Sequence, residues 1–471
     1  MNIPADLSRR MTRLWAGLGP RFLPFADVAS ADLPLSRLLR LSLFQVSVGM
    51  ALVLLVGTLN RVMIVELGVP ASLVAVMVSL PVLFAPLRAV IGFRSDNHRS
   101  ALGWRRVPFI WKGTMLQFGG LAVMPFALLV LSGGGNAAAW PVWVGQLGAG
   151  LAFLMVGAGL HMTQTVGLAL ATDLVPPTSR PKVVGLMYVM LLLGTIGSAL
   201  IFGLLLEDFT PAKLIQVIQG AAVATMALNI LALWKQEPRR RGMALPVTSP
   251  QAEPSFAQAW EIFSQQPQAL RHLVALGLGS MAFSMQDVLL EPYGGQILGL
   301  SVSATTRLTA TLALGGLLGF GLASRVLSRG ADPFRMARQG AWVGLPAFLA
   351  VSAAAPLQLP WLFALGVLLI GFGGGLFSHG TLTATMNLAP PQQAGLALGA
   401  WGAVQATTAG AAVALGGITR DLVAARAPSW GLGPEAGYVV VYSLEIVLLL
   451  ATLAVMLPLV RQRVQGAVLP A

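Results

Sequence analysis

Cysteine is absent from the 471 residues, histidine and tyrosine occur four times each, and charged side chains make up only 10%. Without cysteine there is no disulfide, no thiolate metal site and no cysteine nucleophile. The shortage of charge excludes more. An ordinary soluble domain carries about 25% charged residues on its water-facing surface, so a soluble arrangement of this chain is ruled out. Disorder is ruled out as well, because 56% of the residues are hydrophobic and a disordered chain lacks that apolar content. With four histidines, no cysteine and no embedded acid–base–nucleophile cluster, an enzyme is not expected.

What the sequence does hold is long apolar runs, with 53 glycines and 30 prolines, as in helices packed within lipid. About 20 apolar residues cross a bilayer as a helix. Hydropathy and helix breakers place twelve such segments, at 41–65, 72–92, 109–132, 140–173, 183–206, 214–234, 273–293, 305–327, 337–355, 361–388, 395–422 and 438–460. The resulting domain reading is an interfacial or cytoplasmic segment 1–40, a six-helix bundle 41–234, a polar Pro-rich linker 235–270, a second six-helix bundle 271–460 and a tail 461–471. The first 40 residues lack the short apolar core and small-residue cleavage site of a signal peptide. Leu14, Trp15, Phe22, Leu23 and Phe25 stand there among arginines, as in a segment lying on the cytoplasmic leaflet. In the linker, Phe256, Trp260 and Phe263 recur at helical spacing, as in a short surface helix.

Of the 30 Lys and Arg residues, 25 fall in alternate connections and the two ends; only Arg61, Lys213, Arg307, Arg420 and Arg426 fall on the other side. By the positive-inside rule both termini are expected in the cytoplasm. The net charge of +13 therefore orients the protein in a lipid bilayer, and no nucleic-acid partner is expected.

The two halves repeat. At a constant offset of 214, Gly157/Gly371, Gly159/Gly373, Leu168/Leu382, Leu174/Leu388, Pro176/Pro390, Pro177/Pro391, Gly185/Gly399 and Gly203/Gly417 coincide without a gap. Two six-helix halves repeated in parallel describe an all-α, major-facilitator-type bundle. Between segments 2 and 3 stands GFRSDNHRSALGWRR (92–106), similar to the facilitator loop that ends in paired basic residues. Asp96 with Arg105 and Arg106 would form its latch. The matching loop, ASRVLSRGADPFR from Ala323, moves its acid to Asp332.

Ionisable groups at membrane depth are costly and mark function; here they are Arg61, His161, Asp173, Asp287, Glu291, His379 and Glu445. Asp287 and Glu291 lie four apart, on one helix face. A bridge from Arg61 to either is expected to close the periplasmic side, and a proton-coupling carboxylate pair is the alternative role. Asp173 is expected to pair with Arg180 or Lys182, while His98 and His272 are expected in water. His161 and His379 stand near the middle of their helices beside Gly157 and Gly159, and Gly373 and Gly375 respectively. Glycine lets a flat ring approach a backbone, and neutral imidazole is an axial ligand for a metal in such a ring. Tight helix packing explains the same glycines.

The strings GTLNRVMIVELGVPASLVAVMVSLPVLFAPLRAVIGFRSDNHRSALGWRRVPFIWKGT (57–114), GLHMTQTVGLALATDLVPPTSRPKVVGLMYVM (159–190), MQDVLLEPYGGQILGLS (285–301), FSHGTLTATMNLA (377–389) and GLALGAWGAVQAT (395–407) resemble the PucC/LhaA family, a bacteriochlorophyll delivery branch of the facilitators. That resemblance implies a factor in light-harvesting antenna assembly in the intracytoplasmic inner membrane of a purple phototroph. Bacteriochlorophyll a or a precursor would be the bound cargo, with core antenna favoured over peripheral antenna as client. The implied partners are antenna α/β subunits, bacteriochlorophyll synthase and the membrane insertion machinery. The competing expectation is a proton-coupled secondary transporter of a small or amphipathic solute.

Overall fold

The computed structural model describes residues 33–81, 91, 94–95, 100, 103–176, 179–237, 268–388 and 394–466. Asp96, His98, the segment before residue 33 and the 256–263 stretch lie outside them. Among the described residues every regular element is helical. The helices are α1 (Leu35–Leu41), α2 (Leu43–Leu52), α3 (Ala71–Ser79), α4 (Val107–Leu131), α5 (Val142–Asp173), α6 (Arg180–Leu205) and α7 (Pro211–Leu233). They continue with α8 (Ala269–Ala282), α9 (Leu290–Gln296), α10 (Val302–Leu327), α11 (Pro333–Ala354), α12 (Pro360–Leu388), α13 (Ala394–Arg426) and α14 (Ala436–Gly466). Among the described residues nine helical stretches are long and apolar enough to cross a membrane. α11 and α13 match the expected segments 337–355 and 395–422 but are not among the nine.

Local chemistry sets these boundaries. Ser301 caps α10 by accepting from the Ala304 N–H at 3.2 Å, and Asp332 caps α11 by accepting from Phe334 at 2.9 Å with Pro333 following. Beyond α10, Gly330 takes a left-handed φ of 86°, a conformation that glycine adopts without a Cβ penalty.

The chain divides into two compact units. The first holds residues 33–52, most of the described residues of 87–198, and the described residues from Pro211 to 237; the second holds residues 53–81, Ala199–Thr210 and the described residues from 268 on. Within the second unit α3 lies along α13, where a Cβ at Gly417 would press on Ala71 and Ala75, and the Ser72 N–H donates to Asp421 at 2.6 Å.

In the first unit α4 packs along α5 through Gly113, Gly120 and Gly159. Polar side chains tie the same core: Ser47 donates to Asn229 (2.9 Å), Asn229 to Thr114 (2.9 Å) and Gln117 to Thr163 (3.0 Å). Small residues and interhelical hydrogen bonds are what hold helices together where lipid removes the hydrophobic drive. In the second unit α12 packs on α10 and α11 in the same way, through Gly315, Gly319, Gly340, Gly371 and Gly375.

Candidate functional site

A buried polar cluster lies in the second unit, around an interruption in the span Ala269–Gln296. That span is not one helix. α8 ends at Ala282, a 3-10 turn covers Met285–Val288, and α9 begins at Leu290. Such a break frees backbone groups that neighbours must satisfy. Here the buried Glu445 of α14 accepts the Gln286 backbone N–H at 2.7 Å, and Asn60 donates to the Val288 carbonyl at 2.9 Å. Gln286 in turn donates from Nε2 to Asp287 at 3.0 Å. Asp287 is partly exposed, whereas Glu291 and Glu445 are buried.

Arg61 sits between two π-helical stretches, Val53–Leu59 and Val62–Glu66, and the residue is 4% exposed. The expected bridge to Asp287 or Glu291 is not what forms. Arg61 pairs with Glu66, five residues on, and donates to the Leu300 carbonyl at 3.2 Å. Glu291 instead accepts the Thr309 hydroxyl. The looser winding explains the exchange, because a π turn brings residues i and i+5 together. Arg61 still lies near α9: a Cβ at Gly295 would meet the guanidinium, and one at Gly57 would meet Glu291. Beyond the break Tyr293, Tyr438 and Tyr442 form a ring cluster with centroids 5.3 and 5.5 Å from Tyr293. Arg420 stacks over Tyr438 at 4.7 Å and pairs with Asp421 at 2.8 Å.

A second charged cluster lies in the first unit. Arg105 and Arg106 donate to Asp173 at 2.5 and 3.1 Å. Arg106 also donates to Ser95 at 2.6 Å. Glu237 accepts the backbone N–H groups of Arg105, Arg106 and Val107 at 2.7–3.0 Å. It therefore caps the start of α4, where unpaired N–H groups carry partial positive charge. Beside it Arg37 donates to the Gln236 carbonyl at 2.8 Å. Glu237 gave no signal in the sequence, because it stands inside a Pro- and Arg-rich linker that reads as irregular.

The histidines separate. His161 is half-buried on α5 in the first unit, and His379 half-buried on α12 in the second, its ring 4.3 Å from that of Phe320. His272, expected in water, is fully buried: its Nε2 hydrogen-bonds Thr385 at 2.7 Å and its ring meets Phe334 edge-on. The glycines also take a different part from ring approach. Gly159 abuts the Gly113 backbone, Gly373 that of Gly340 and Gly375 that of Gly316, while Gly157 is buried within α5. Neighbouring helices occupy the positions beside Gly159, Gly373 and Gly375, so packing is the role of these three. Among the described residues no group of three His, Cys, Asp or Glu side chains could hold a metal ion.

Comparison with known proteins places this geometry. The profile of the family described as PUCC protein matches residues 58–464. Protein PucC of Rhodovulum sulfidophilum is 65% identical over 89% of this chain and 92% of its own length. The bacteriochlorophyll synthase 44.5 kDa chain of Rhodobacter capsulatus is 28% identical over 82% and 88% respectively. Among solved structures, the nucleoside transporter NupG superposes with a TM-score of 0.63 over 89% of this chain and 99% of its own, at 17% identity. The fold is that of major-facilitator-type transporters, and the chain is a multi-pass membrane protein. Matched over most of its length by profile and relative alike, it belongs to the PucC family.

Proposed function

We propose that this protein is an assembly factor for light-harvesting antenna, holding bacteriochlorophyll a or a precursor and passing it to antenna α/β subunits. The reading includes twelve membrane spans, both termini in the cytoplasm, and residence in the inner membrane of a purple phototroph. Membership of the PucC family over residues 58–464 carries it, and the name of the 28% identical bacteriochlorophyll synthase chain supports the cargo. His161 and His379 are the candidate magnesium ligands, each treated as a separate site in its own unit. Each lies half-buried in an apolar span, where an imidazole with one nitrogen free of protons binds a metal in a planar ring. Because neighbouring backbone fills the positions beside Gly159, Gly373 and Gly375, a ring at His379 would meet side chains such as Phe320 rather than bare backbone.

The test is to purify the protein from pigment-making cells and record its near-infrared absorption. Bound bacteriochlorophyll is expected, and it is expected to be lost in a His161→Leu, His379→Leu double variant. Wild-type material free of both pigment and antenna subunits would overturn the assembly reading. Unchanged pigment in the double variant would remove only the histidine assignment.

A second reading, proton-coupled transport of a small or amphipathic solute, draws support from the acids Asp287 and Glu291 at a broken helix. Uptake into liposomes driven by a pH gradient, and abolished by Asp287→Asn, is its measurement.

A further inference from the structure

The break between α8 and α9 gathers more oxygen than it uses. Glu445 commits Oε1 to the Gln286 N–H, and its Oε2 is buried with no hydrogen-bond partner among the described residues. Gln286 Oε1 and the Tyr442 hydroxyl are in the same condition. All three side chains are essentially sealed: Glu445 and Tyr442 are 0% exposed and Gln286 1%. They are also neighbours. Tyr442 and Glu445 are three residues apart on α14 and share a face, and Gln286 is hydrogen-bonded to Glu445. Asp287, next in the chain and partly exposed, accepts from the Gln286 amide and opens the cluster to the outside. A buried oxygen left without a partner costs roughly 1–3 kcal/mol, more if charged, so three of them on the turn and on the face of α14 bonded to its backbone favour a positive partner.

The side chains around the cluster do not supply one. α14 packs on α8, α11, α13 and the 3-10 turn. The turn brings Asp287, and α9 beyond it brings Glu291 and Tyr293. α13 brings Arg420 and Asp421, which pair with each other, and α14 itself adds Tyr438. Arg271 and His272 start α8 and Arg335 and Arg338 start α11, at the ends away from the break: Tyr293 reaches the Val351 carbonyl near the far end of α11. Arg61 is engaged by Glu66. Among the described residues Glu445 has no ion-pair partner.

We propose that this break is a monovalent-cation site, with Glu445 Oε2, Gln286 Oε1 and the Tyr442 hydroxyl as ligands and Asp287 as the entry carboxylate. An all-oxygen set suits a hard cation, and broken helices at membrane depth are where transporter folds hold coupling ions. The occupant is sodium or a proton, since both are taken by the same oxygens. The site stands independently of the pigment reading.

The test uses the full chain purified in lipid nanodiscs, with unfolding followed by intrinsic tryptophan fluorescence. In one arm NaCl is titrated against choline chloride at fixed pH; in the other, pH is varied at fixed ionic strength and the infrared carbonyl band of protonated carboxylic acids is recorded. A saturable rise in melting temperature with NaCl alone, lost in Glu445→Gln, identifies sodium. A carboxylic-acid band lost in Glu445→Gln, with the stability response to acid lost as well, identifies a proton. Glu445→Gln keeps an oxygen for the Gln286 N–H and is expected to fold. Should it not, Tyr442→Phe reads the same response, expected about tenfold weaker for one lost ligand. A wild type indifferent to both ions, or variants that respond as wild type does, overturns the site.

Discussion

The two charged clusters use similar residues to opposite ends. In the first unit Asp173 takes two arginines and Glu237 takes three backbone N–H groups; each carboxylate faces only donors. In the second unit Glu291 and Glu445 each keep one oxygen without a partner among the described residues, and both are buried. A cluster that satisfies itself holds helices in place. One that leaves buried oxygens open has a structure completed by something that comes and goes, which is why the second is the place to look for a bound ion.

That contrast can be broken by substitution. The largest effect is expected for Arg61→Ala, which strips a buried guanidinium from Glu66 and the Leu300 carbonyl. A loss of about 3 kcal/mol follows, the upper end for a hydrogen bond from a charged group, because the Leu300 carbonyl loses its donor while the exposed Glu66 is left to water. It would be read as a drop in melting temperature and in membrane accumulation, and a variant as stable as wild type would show that the pair carries no weight. Glu237→Ala removes one acceptor from three N–H groups, so about 2 kcal/mol is expected, with faster hydrogen exchange confined to the first turn of α4. Protection unchanged at Val107 would contradict the capping role. Glu445→Gln should cost about 1 kcal/mol or less, since the isosteric amide still accepts from Gln286; its signature is the lost ion response. The smallest change belongs to Arg105→Ala, at about 0.5 kcal/mol, because that pair is roughly one-third exposed on both sides. The loss should vanish in high salt, and a salt-independent loss would place the contact in a drier setting than described.

Much of the architecture was legible in the chain. The glycine pair Gly159/Gly373, related by the 214-residue offset, abuts a neighbouring glycine backbone in each unit. Hydropathy reads burial in lipid or protein without telling them apart, so it marks apolar helices such as α4, α5 and α12 without saying which neighbours they pack on. Nothing periodic marks residues 53–81 as partners of α13. The site was half legible. Membrane depth singled out Arg61, Glu291 and Glu445, but partner choice depends on winding: an α-helical count aims Arg61 across at the acids, whereas the π turns hand it to Glu66. His272 was misplaced for a related reason. It follows Arg271, which reads as an aqueous edge, yet α8 has already turned that position inward against Thr385 and Phe334.

The wide turns on either side of Arg61 also set a tolerance. Rewinding one of them as an ordinary helix would take up a residue and rotate all that follows by roughly 100° about the axis. Forcing Val53–Leu59 into ordinary helix with every residue kept would thus tidy the local hydrogen bonding and still ruin the neighbourhood, swinging Asn60 off the Val288 carbonyl and the guanidinium off Gly295. Slack in the backbone is here the calibration of the contact.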